Sequence, residues 1–421
     1  MKRKGLMILL AAALLLCLLP GSAPTASAMS GEYVIMTATD LHFLAPELTD
    51  HGSYFWKVMD NSDGRVTEYC EEITDAFLAQ VIRQAPDALV LTGDISFNGA
   101  RASHMSLAAK LADVEAAGIP VFVLPGNHDV YRGTAAAFFG DGYELMPGVS
   151  GEEFAEIYGE FGFDEALSRD QDSLSYVSRL NDSTWLLMLD ANTLHDYCSL
   201  SQKTLAWTRE QLEAARLGGV GVLAACHQNL YQHSVFRGGY MLACSEQLHD
   251  LLEEYQVPLI LSGHMHIQHI KTEGSVTEIA GSPLTLGDCL YGILQCAEGE
   301  LRYEARPVQV SAWASERELA DENLRSFESY ARERFNRRTD IQAREQLTKA
   351  GIEGDEAEEL VKFACALNSA YFGGDLTGIP ELDRDGTLLL RWKESGTMFG
   401  GYLASLEEEI GKDYRSWEGA G

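Results

Sequence analysis

Five apolar runs in the first 310 residues each end in side chains that can bind a metal ion, and this repetition is the strongest constraint on the fold. The runs alternate with segments of helical spacing, a pattern typical of an α/β core whose sheets are covered by helices. In such folds the ligand-binding groups lie at the carboxyl ends of the strands. Turns or helix caps explain one or two such residues, but not the whole set. The residues are Asp40 with His42, Asp94, Asn127 with His128 and Asp129, His227, and His264 with His266.

This mixture of carboxylates, imidazoles and an amide predicts a pair of divalent ions. Two ions about 3.5–4 Å apart can clamp a phosphoryl group, and a carboxylate with two free oxygens can bridge them. We expect Asp94 to be that bridge. Neutral imidazoles suit Mn, Fe or Zn better than Ca. The Asp-x-His and His-x-His spacings predict side chains that point the same way at an extended strand end.

The chain resembles the calcineurin-like metallophosphoesterases in five motif blocks, which occur in the family's order over residues 33–310. The blocks are Asp40-x-His42, Gly93-Asp94, Gly126-Asn127-His128-Asp129, His227 and Gly263-His264-x-His266. The resemblance implies a four-layer αββα sandwich. It also implies that one ion is held by Asp40, His42, Asp94 and His266, and the other by Asp94, Asn127, His227 and His264. His128 would protonate the leaving group, with Asp129 orienting it.

A closer resemblance is to the bacterial cyclic-nucleotide phosphodiesterase-like branch, in its exported members that carry an added C-terminal helical domain. It rests on the stretch from Gly93 to Gly99, on Leu189-Asp190 and on Leu205-Ala206-Trp207. Gln228 departs from the pattern, because many relatives have a second histidine after the His227 ligand. That departure concerns a contact to the substrate and leaves the metal ligands complete.

Together these features predict a binuclear metal-dependent phosphoesterase that hydrolyses phosphodiester bonds, with cyclic nucleotides as candidate substrates. Metal-activated hydroxide would attack phosphorus, and His128 would protonate the leaving alkoxide. A phosphomonoesterase or nucleotidase with the same metals is the first alternative. A non-catalytic metal-binding interaction protein is the second, although every ligand position and the acid are present. The expected partner is therefore a small phosphate ester, with nucleotides among the candidates.

Three further residues are weaker candidates for contact with the substrate. His195 and Tyr197 come shortly after a predicted strand, and Arg237 lies on a glycine-rich loop where it would contact a phosphate. The alternative for each is a solvated surface loop.

The chain's charge and its N-terminus bear on partners and location. A formal net charge of −31 argues against binding to nucleic acid or anionic membrane, because their phosphates would be repelled. The basic Lys2-Arg3-Lys4, an apolar stretch and the small residues Ala26-Ser27-Ala28 predict a cleaved signal peptide over residues 1–28. We therefore expect a secreted protein with no membrane partner beyond export. An uncleaved membrane anchor is the alternative.

The length of 421 residues predicts two domains, because a single hydrophobic core stops growing below that size. We place a metallophosphoesterase domain at residues 29–312 and a C-terminal α-helical domain at residues 313–421. Charged, amphipathic spacing predicts helices at 316–337, 341–350 and 356–371, and a last helix within 399–417. These helices could cap the cleft, bind a partner or only complete the fold.

Overall fold

The structure, a computed structural model, describes Met29, residues 31–236 and residues 238–421. The predicted signal peptide and Arg237 lie outside the described residues. The strands are β1 (Tyr33–Ala38), β2 (Ala88–Leu91), β3 (Val121–Val123), β4 (Ala136–Phe139), β5 (Gly142–Leu145), β6 (Ser168–Arg169), β7 (Tyr176–Asn181), β8 (Thr184–Leu189), β9 (Gly221–Cys226), β10 (Leu259–Ser262), β11 (His269–Glu273), β12 (Val276–Ala280), β13 (Leu290–Ala297), β14 (Glu300–Pro307) and β15 (Ser416–Ala420). The helices are α1 (Ser53–Asp60), α2 (Cys70–Gln84), α3 (Arg101–Ala116), α4 (Gly151–Ile157), α5 (Gln202–Gly218), α6 (Ser245–Glu254), α7 (Val310–Glu316), α8 (Glu322–Arg325), α9 (Phe327–Lys349), α10 (Asp355–Gly373), α11 (Ile379–Leu382), α12 (Thr387–Glu394) and α13 (Met398–Ala404).

Two mixed sheets form the centre of the molecule. The first has the strand order β15-β14-β13-β1-β2-β3 and the second the order β11-β12-β10-β9-β8-β7-β6, while β4 and β5 form a separate hairpin. Strands β1, β2 and β3 run parallel, as do β8, β9, β10 and β12. The carboxyl ends of neighbouring parallel strands meet at one edge of a sheet. The metal-binding candidates were predicted at these ends.

Alternate residues of the second sheet face different layers. On β8, Leu186 and Met188 pack into the core shared with the first sheet, whereas Leu187 and Leu189 pack with apolar residues of α5 and α6. A strand covered on both faces requires this period-two division of apolar residues. Helices α2 and α3 contribute to the core of the first sheet, for example through Phe77. The predicted four-layer αββα sandwich is therefore confirmed.

Local sequence explains where several helices begin and end. Ser150 begins α4 with a capping box, in which its side chain and that of Glu153 each satisfy a backbone N–H of the other. Ser201 caps the N-terminus of α5 by accepting a hydrogen bond from the Thr204 N–H. Gly219 ends α5 in the left-handed conformation that favours glycine.

The residues at the ends of the strands form tight turns instead of the predicted extended backbone. Five non-glycine residues there have positive φ: Asp40 (50°), His42 (44°), Asp94 (47°), His264 (68°) and His266 (59°). Left-handed backbone costs an L-residue roughly 1–2 kcal/mol. The prediction of extended strand ends is therefore wrong. The side chains are brought together by tight turns with left-handed backbone. Backbone strain of this kind concentrates at functional sites.

The C-terminal segment is mostly helical, as predicted, with different element bounds. Helix α10 matches the prediction at 356–371, but α9 runs without a break through the expected gap after residue 337. The last predicted helix is wrong beyond Ala404, because β15 pairs antiparallel with β14 at the edge of the first sheet. Trp417 packs against the core there, so tertiary pairing overrides the local pattern.

The predicted division into two domains at residue 312 stays a prediction.

Among the described residues, none of the helices combines the length and the apolar character that crossing a lipid bilayer would require.

Candidate metal centre

The polar residues predicted from the five strand ends form one cluster. Three groups of potential ligands each place their ligand atoms within 4.8 Å of one another: Asp40, His42 and His266; His42, Asp94 and His128; and Asp94, His227 and His264. Because His42 and Asp94 each belong to two groups, the three groups form a continuous site.

In the first half of the cluster, three atoms that can bind a metal face one another. Asp40 Oδ1 lies 3.6 Å from His42 Nε2 and 3.2 Å from His266 Nε2, and the two imidazole nitrogens are 3.2 Å apart. The other oxygen, Asp40 Oδ2, accepts hydrogen bonds from Thr39 Oγ1 (2.7 Å) and the His264 N–H (3.0 Å). These two donors fix the carboxylate so that Oδ1 points at the imidazoles.

The second half of the cluster surrounds Oδ2 of Asp94. His227 donates its Nδ1–H to the Thr92 carbonyl (2.9 Å), and its Nε2 lies 3.3 Å from Asp94 Oδ2. His264 donates its Nε2–H to the Gly239 carbonyl (2.8 Å), which leaves Nδ1 available. A backbone carbonyl that accepts from one ring nitrogen fixes the tautomer and frees the other nitrogen for a metal.

The residues fit divalent cations because several buried acceptors point at one another without a donor. Asp40 Oδ1, Asn127 Oδ1 and His227 Nε2 are buried and accept no hydrogen bond from the described residues. A buried unsatisfied polar group costs roughly 1–3 kcal/mol. Converging lone pairs are stabilised by a cation between them, and this donor set suits Mn, Fe or Zn.

The electrostatics of the cluster favour positive charge in both halves. Burial by itself raises the pKa of Asp40 and Asp94, but neighbouring imidazoles outweigh it and hold both values well below the usual range. Burial by itself lowers the pKa of His227 and His266, but the facing carboxylates outweigh it and raise both to about 9. Each half therefore stabilises one positive charge, as a bound cation would require.

Two glycines have no side chain where the proposed metal-binding side chains pack against the backbone. Gly93 has a φ of +96°, and a Cβ added there would lie 2.7 Å from the His227 ring. A Cβ on Gly126 would overlap the Asp94 carboxylate. A side chain at either position would thus displace a ligand.

Asp63 is a residue of the site that the sequence did not indicate. Its Oδ2 accepts the Nδ1–H of His266 at 2.6 Å, and its Oδ1 accepts from Arg65 Nε at 2.9 Å. A carboxylate in this position orients a metal-binding imidazole and raises its basicity. Asp63 lies in the loop between α1 and α2, and no sequence spacing distinguishes it from the other acidic residues nearby.

The side chains of His128 and Asp129 form hydrogen bonds to different groups. His128 donates its Nδ1–H to the Phe97 carbonyl (2.8 Å), and its backbone N–H donates to Asp94 Oδ1 (2.7 Å). The buried Asp129 carboxylate instead accepts hydrogen bonds from backbone N–H groups of Ile95, Ser96 and Gly126. The Phe97 carbonyl therefore holds the His128 ring, and Asp129 holds the backbone on either side of it. The predicted role of Asp129 in orienting His128 stays a prediction, and among the described residues it would act through this backbone rather than through a direct hydrogen bond.

The C-terminal helices take part in the site. In the ligand turn after β10, His264 and His266 face the cluster, whereas Met265 and Ile267 lie in the hydrophobic core of the C-terminal helices. A cleft of about 390 Å³ opens from the cluster. Its lining includes Ser234, Phe236 and Tyr240 from the loop after β9, and Tyr371, Phe372 and Tyr402 from the C-terminal helices.

Two of the three weaker candidates are among the described residues. His195 and Tyr197 lie on an exposed loop and are not part of the cleft lining. Burial, with smaller contributions from Cys198 and Asp94, raises the pKa of Tyr197, so this ring lies near the cluster. Arg237 belongs to the part of the chain that is not described.

Most of the chain matches two known protein families. Residues 33–268 match "Calcineurin-like phosphoesterase", and residues 309–403 match "C-terminal domain of cyclic nucleotide phosphodiesterase". Both parts of the resemblance predicted from the sequence are confirmed. No curated protein matches the chain.

Solved structures similar to this chain include several proteins of low sequence identity. A dimetal phosphatase from Danio rerio is 14% identical, over 65% of this chain and 96% of its own, with a TM-score of 0.49. GAP50 of Plasmodium, described as an anchor in the inner membrane complex, is 10% identical over 66% and 85% of the two chains, with a TM-score of 0.40. A zinc complex of Vps29 from Entamoeba histolytica is 11% identical over 66% and 93%, with a TM-score of 0.25.

Substitution of Asp63 tests the arrangement around His266. We expect Asp63→Asn to lower metal affinity about 10- to 100-fold, because the amide no longer holds the Nδ1 proton of His266 as strongly. Competition titrations against a chromophoric chelator measure this affinity. Asp141→Asn, at an exposed position in the β4–β5 turn, is the matched control and should leave it unchanged. Equal affinities for Asp63→Asn and the control would show that Asp63 has no such role.

Proposed function

We propose that this chain, which belongs to the calcineurin-like phosphoesterase family, is a two-metal phosphodiesterase acting on small diesters, with nucleotides as candidate substrates. Family membership accounts for phosphoester hydrolysis, and the proposal adds the ligands, the acid and the preference for diesters. The observation that carries it is the buried cluster in which Asp94 joins two sets of metal-competent atoms.

The proposed ligands correspond to the two halves of that cluster. Asp40, His42, Asp94 and His266 would hold one ion, and Asp94, Asn127, His227 and His264 would hold the other. Mn, Fe and Zn are the proposed metals. When bound, two such ions supply the positive charge that stabilises the attacking and leaving oxygens of phosphoryl transfer.

His128 is the proposed general acid. Its Nδ1 proton stays with the Phe97 carbonyl, so a second proton at Nε2 gives the imidazolium that can donate to a leaving oxygen. Burial lowers the pKa of His128, and Asp94 offsets only part of that effect. The lower pKa makes this imidazolium a stronger acid. The side chain is 30% exposed, so Nε2 remains accessible from the cleft.

One observation supports a diester over a monoester. Residues 309–403 of the chain match a domain described as the "C-terminal domain of cyclic nucleotide phosphodiesterase".

Side-by-side rates on two p-nitrophenyl substrates test this preference. We expect kcat/KM for bis-p-nitrophenyl phosphate to exceed that for p-nitrophenyl phosphate by about tenfold or more, a difference of about 1.4 kcal/mol in transition-state binding. The opposite preference would identify a phosphomonoesterase. No turnover of either substrate after reconstitution with Mn, Fe or Zn would indicate the non-catalytic alternative.

The acid role of His128 predicts that the effect of removing it depends on the leaving group. We expect His128→Ala to reduce turnover about 10²- to 10⁴-fold on a diester with an alkoxide leaving group. On bis-p-nitrophenyl phosphate the loss should stay below about tenfold, since p-nitrophenolate departs without a proton. Metal content, measured in parallel, should equal that of the unsubstituted protein. Equal losses on both substrates would contradict the role.

A further inference from the structure

We propose that the C-terminal helices complete the substrate site and that three aromatic rings recognise the nucleobase of a nucleoside phosphodiester. The rings belong to Phe236, Tyr240 and Tyr402, which we call the aromatic wall. The inference rests on the proposed phosphodiesterase function, in which nucleotides are candidate substrates. It adds the residues that would select a nucleotide over other diesters.

The aromatic wall and the metal cluster share one cleft. Its lining includes Asp94, Asn127 and His128 together with all three rings of the wall. The volume of about 390 Å³ lies in the range of small-molecule sites. A phosphoryl group at the cluster therefore has an ester group within reach of the wall.

The rings are arranged to leave aromatic surface accessible. Phe236 and Tyr402 stack with their centroids 5.6 Å apart and an angle of 28°, although they come from the loop after β9 and from α13. The ring of Tyr240 lies 5.4 Å from that of the proposed ligand His264. Phe236 remains 53% exposed. Exposed aromatic surface beside a polar centre is typical of a binding site rather than of a folded core.

Hydrogen bonds from the C-terminal helices hold the Tyr402 ring of the wall and the loop that carries Phe236. Tyr402 donates its hydroxyl proton to Asn368 Oδ1 (2.7 Å), and Asn368 Nδ2 donates to Thr339 Oγ1 (2.9 Å). Tyr371 donates to the His233 carbonyl (2.7 Å), at the start of the loop that carries Phe236. Rings fixed before binding lose little conformational freedom when a flat ligand stacks on them.

The chemistry of the cleft favours a nucleobase over other ester groups. A nucleobase is flat and neutral, so it can stack on aromatic rings of an acidic protein without being repelled. The hydroxyl groups of Ser234 and Tyr240 also line this cleft. They can pair with the polar edges of a base, whereas an alkyl chain offers them no hydrogen bond.

Three diesters with the same p-nitrophenolate leaving group test the proposal: methyl, decyl and thymidine 5′-p-nitrophenyl phosphate. We expect the unsubstituted protein to favour the thymidine ester by about tenfold in kcat/KM, mainly through KM, because stacking on an aromatic ring contributes about that factor. Phe236→Ala and Tyr402→Ala should each lose most of this preference, with a much smaller change on the methyl ester. Tyr402→Phe should retain it, because the ring remains.

Phe139→Ala, which removes an exposed ring of the β4–β5 hairpin, is the control and should behave as the unsubstituted protein with all three esters. If Tyr402→Ala fails to fold, Phe236→Ala on its exposed loop decides the result. Absence of a thymidine preference, or its survival in both alanine variants, would overturn the proposal. A preference for the decyl ester would overturn it in favour of an alkyl occupant.

Calorimetric binding separates this proposal from the proposed function. Thymidine 5′-monophosphate should bind the metal-loaded protein about tenfold more tightly than methyl phosphate, and Phe236→Ala should remove the difference. If none of the esters is hydrolysed but this difference is present, the phosphodiesterase function fails and the aromatic wall stands. Equal binding of the two phosphates would reject the wall regardless of turnover.

Discussion

The structure depends on two buried carboxylates, Asp40 and Asp94, each of which accepts hydrogen bonds through one oxygen and faces imidazole nitrogens with the other. The surrounding structure is arranged to keep these groups together. Strands of both sheets carry ligand residues just after their carboxyl ends. Tight turns hold five of these residues in left-handed conformations, and glycines leave room for the ligands. Such an arrangement is costly without compensation. Bound cations would provide that compensation, so we expect folding and metal binding to be coupled in this protein.

The two parts of the chain are joined at the cluster as well as along the sequence. Met265 and Ile267 alternate with His264 and His266 in one turn, so the C-terminal core and the proposed metal ligands are fixed by the same backbone. The last strand, β15, also returns to the first sheet. The C-terminal helices therefore do more than complete the fold, since they brace a ligand turn and line the cleft.

Hydrophobic periodicity and strand order were enough to predict an α/β core covered by helices and the convergence of the ligands, whereas the four-layer arrangement was implied by the family resemblance. Runs that end in Asp40, Asp94 or His227 could be placed together because parallel strands bring their carboxyl ends to one edge. Features that depend on tertiary contact could not be predicted. Asp63 reaches His266 from the loop between α1 and α2, and the Asp129 carboxylate accepts hydrogen bonds from backbone N–H groups that are close only in the folded chain. The strand at residues 416–420 likewise forms only because the edge of β14 is available.

The proposed chemistry requires that the cluster hold two cations joined by Asp94. Crystals of the full chain grown with Mn or Zn, with data collected on both sides of the metal absorption edge, would locate the ions directly. We expect two anomalous peaks per chain on either side of the Asp94 carboxylate, one beside His266 and the other beside His227. A single peak, or peaks remote from Asp94, would contradict the two-cation site.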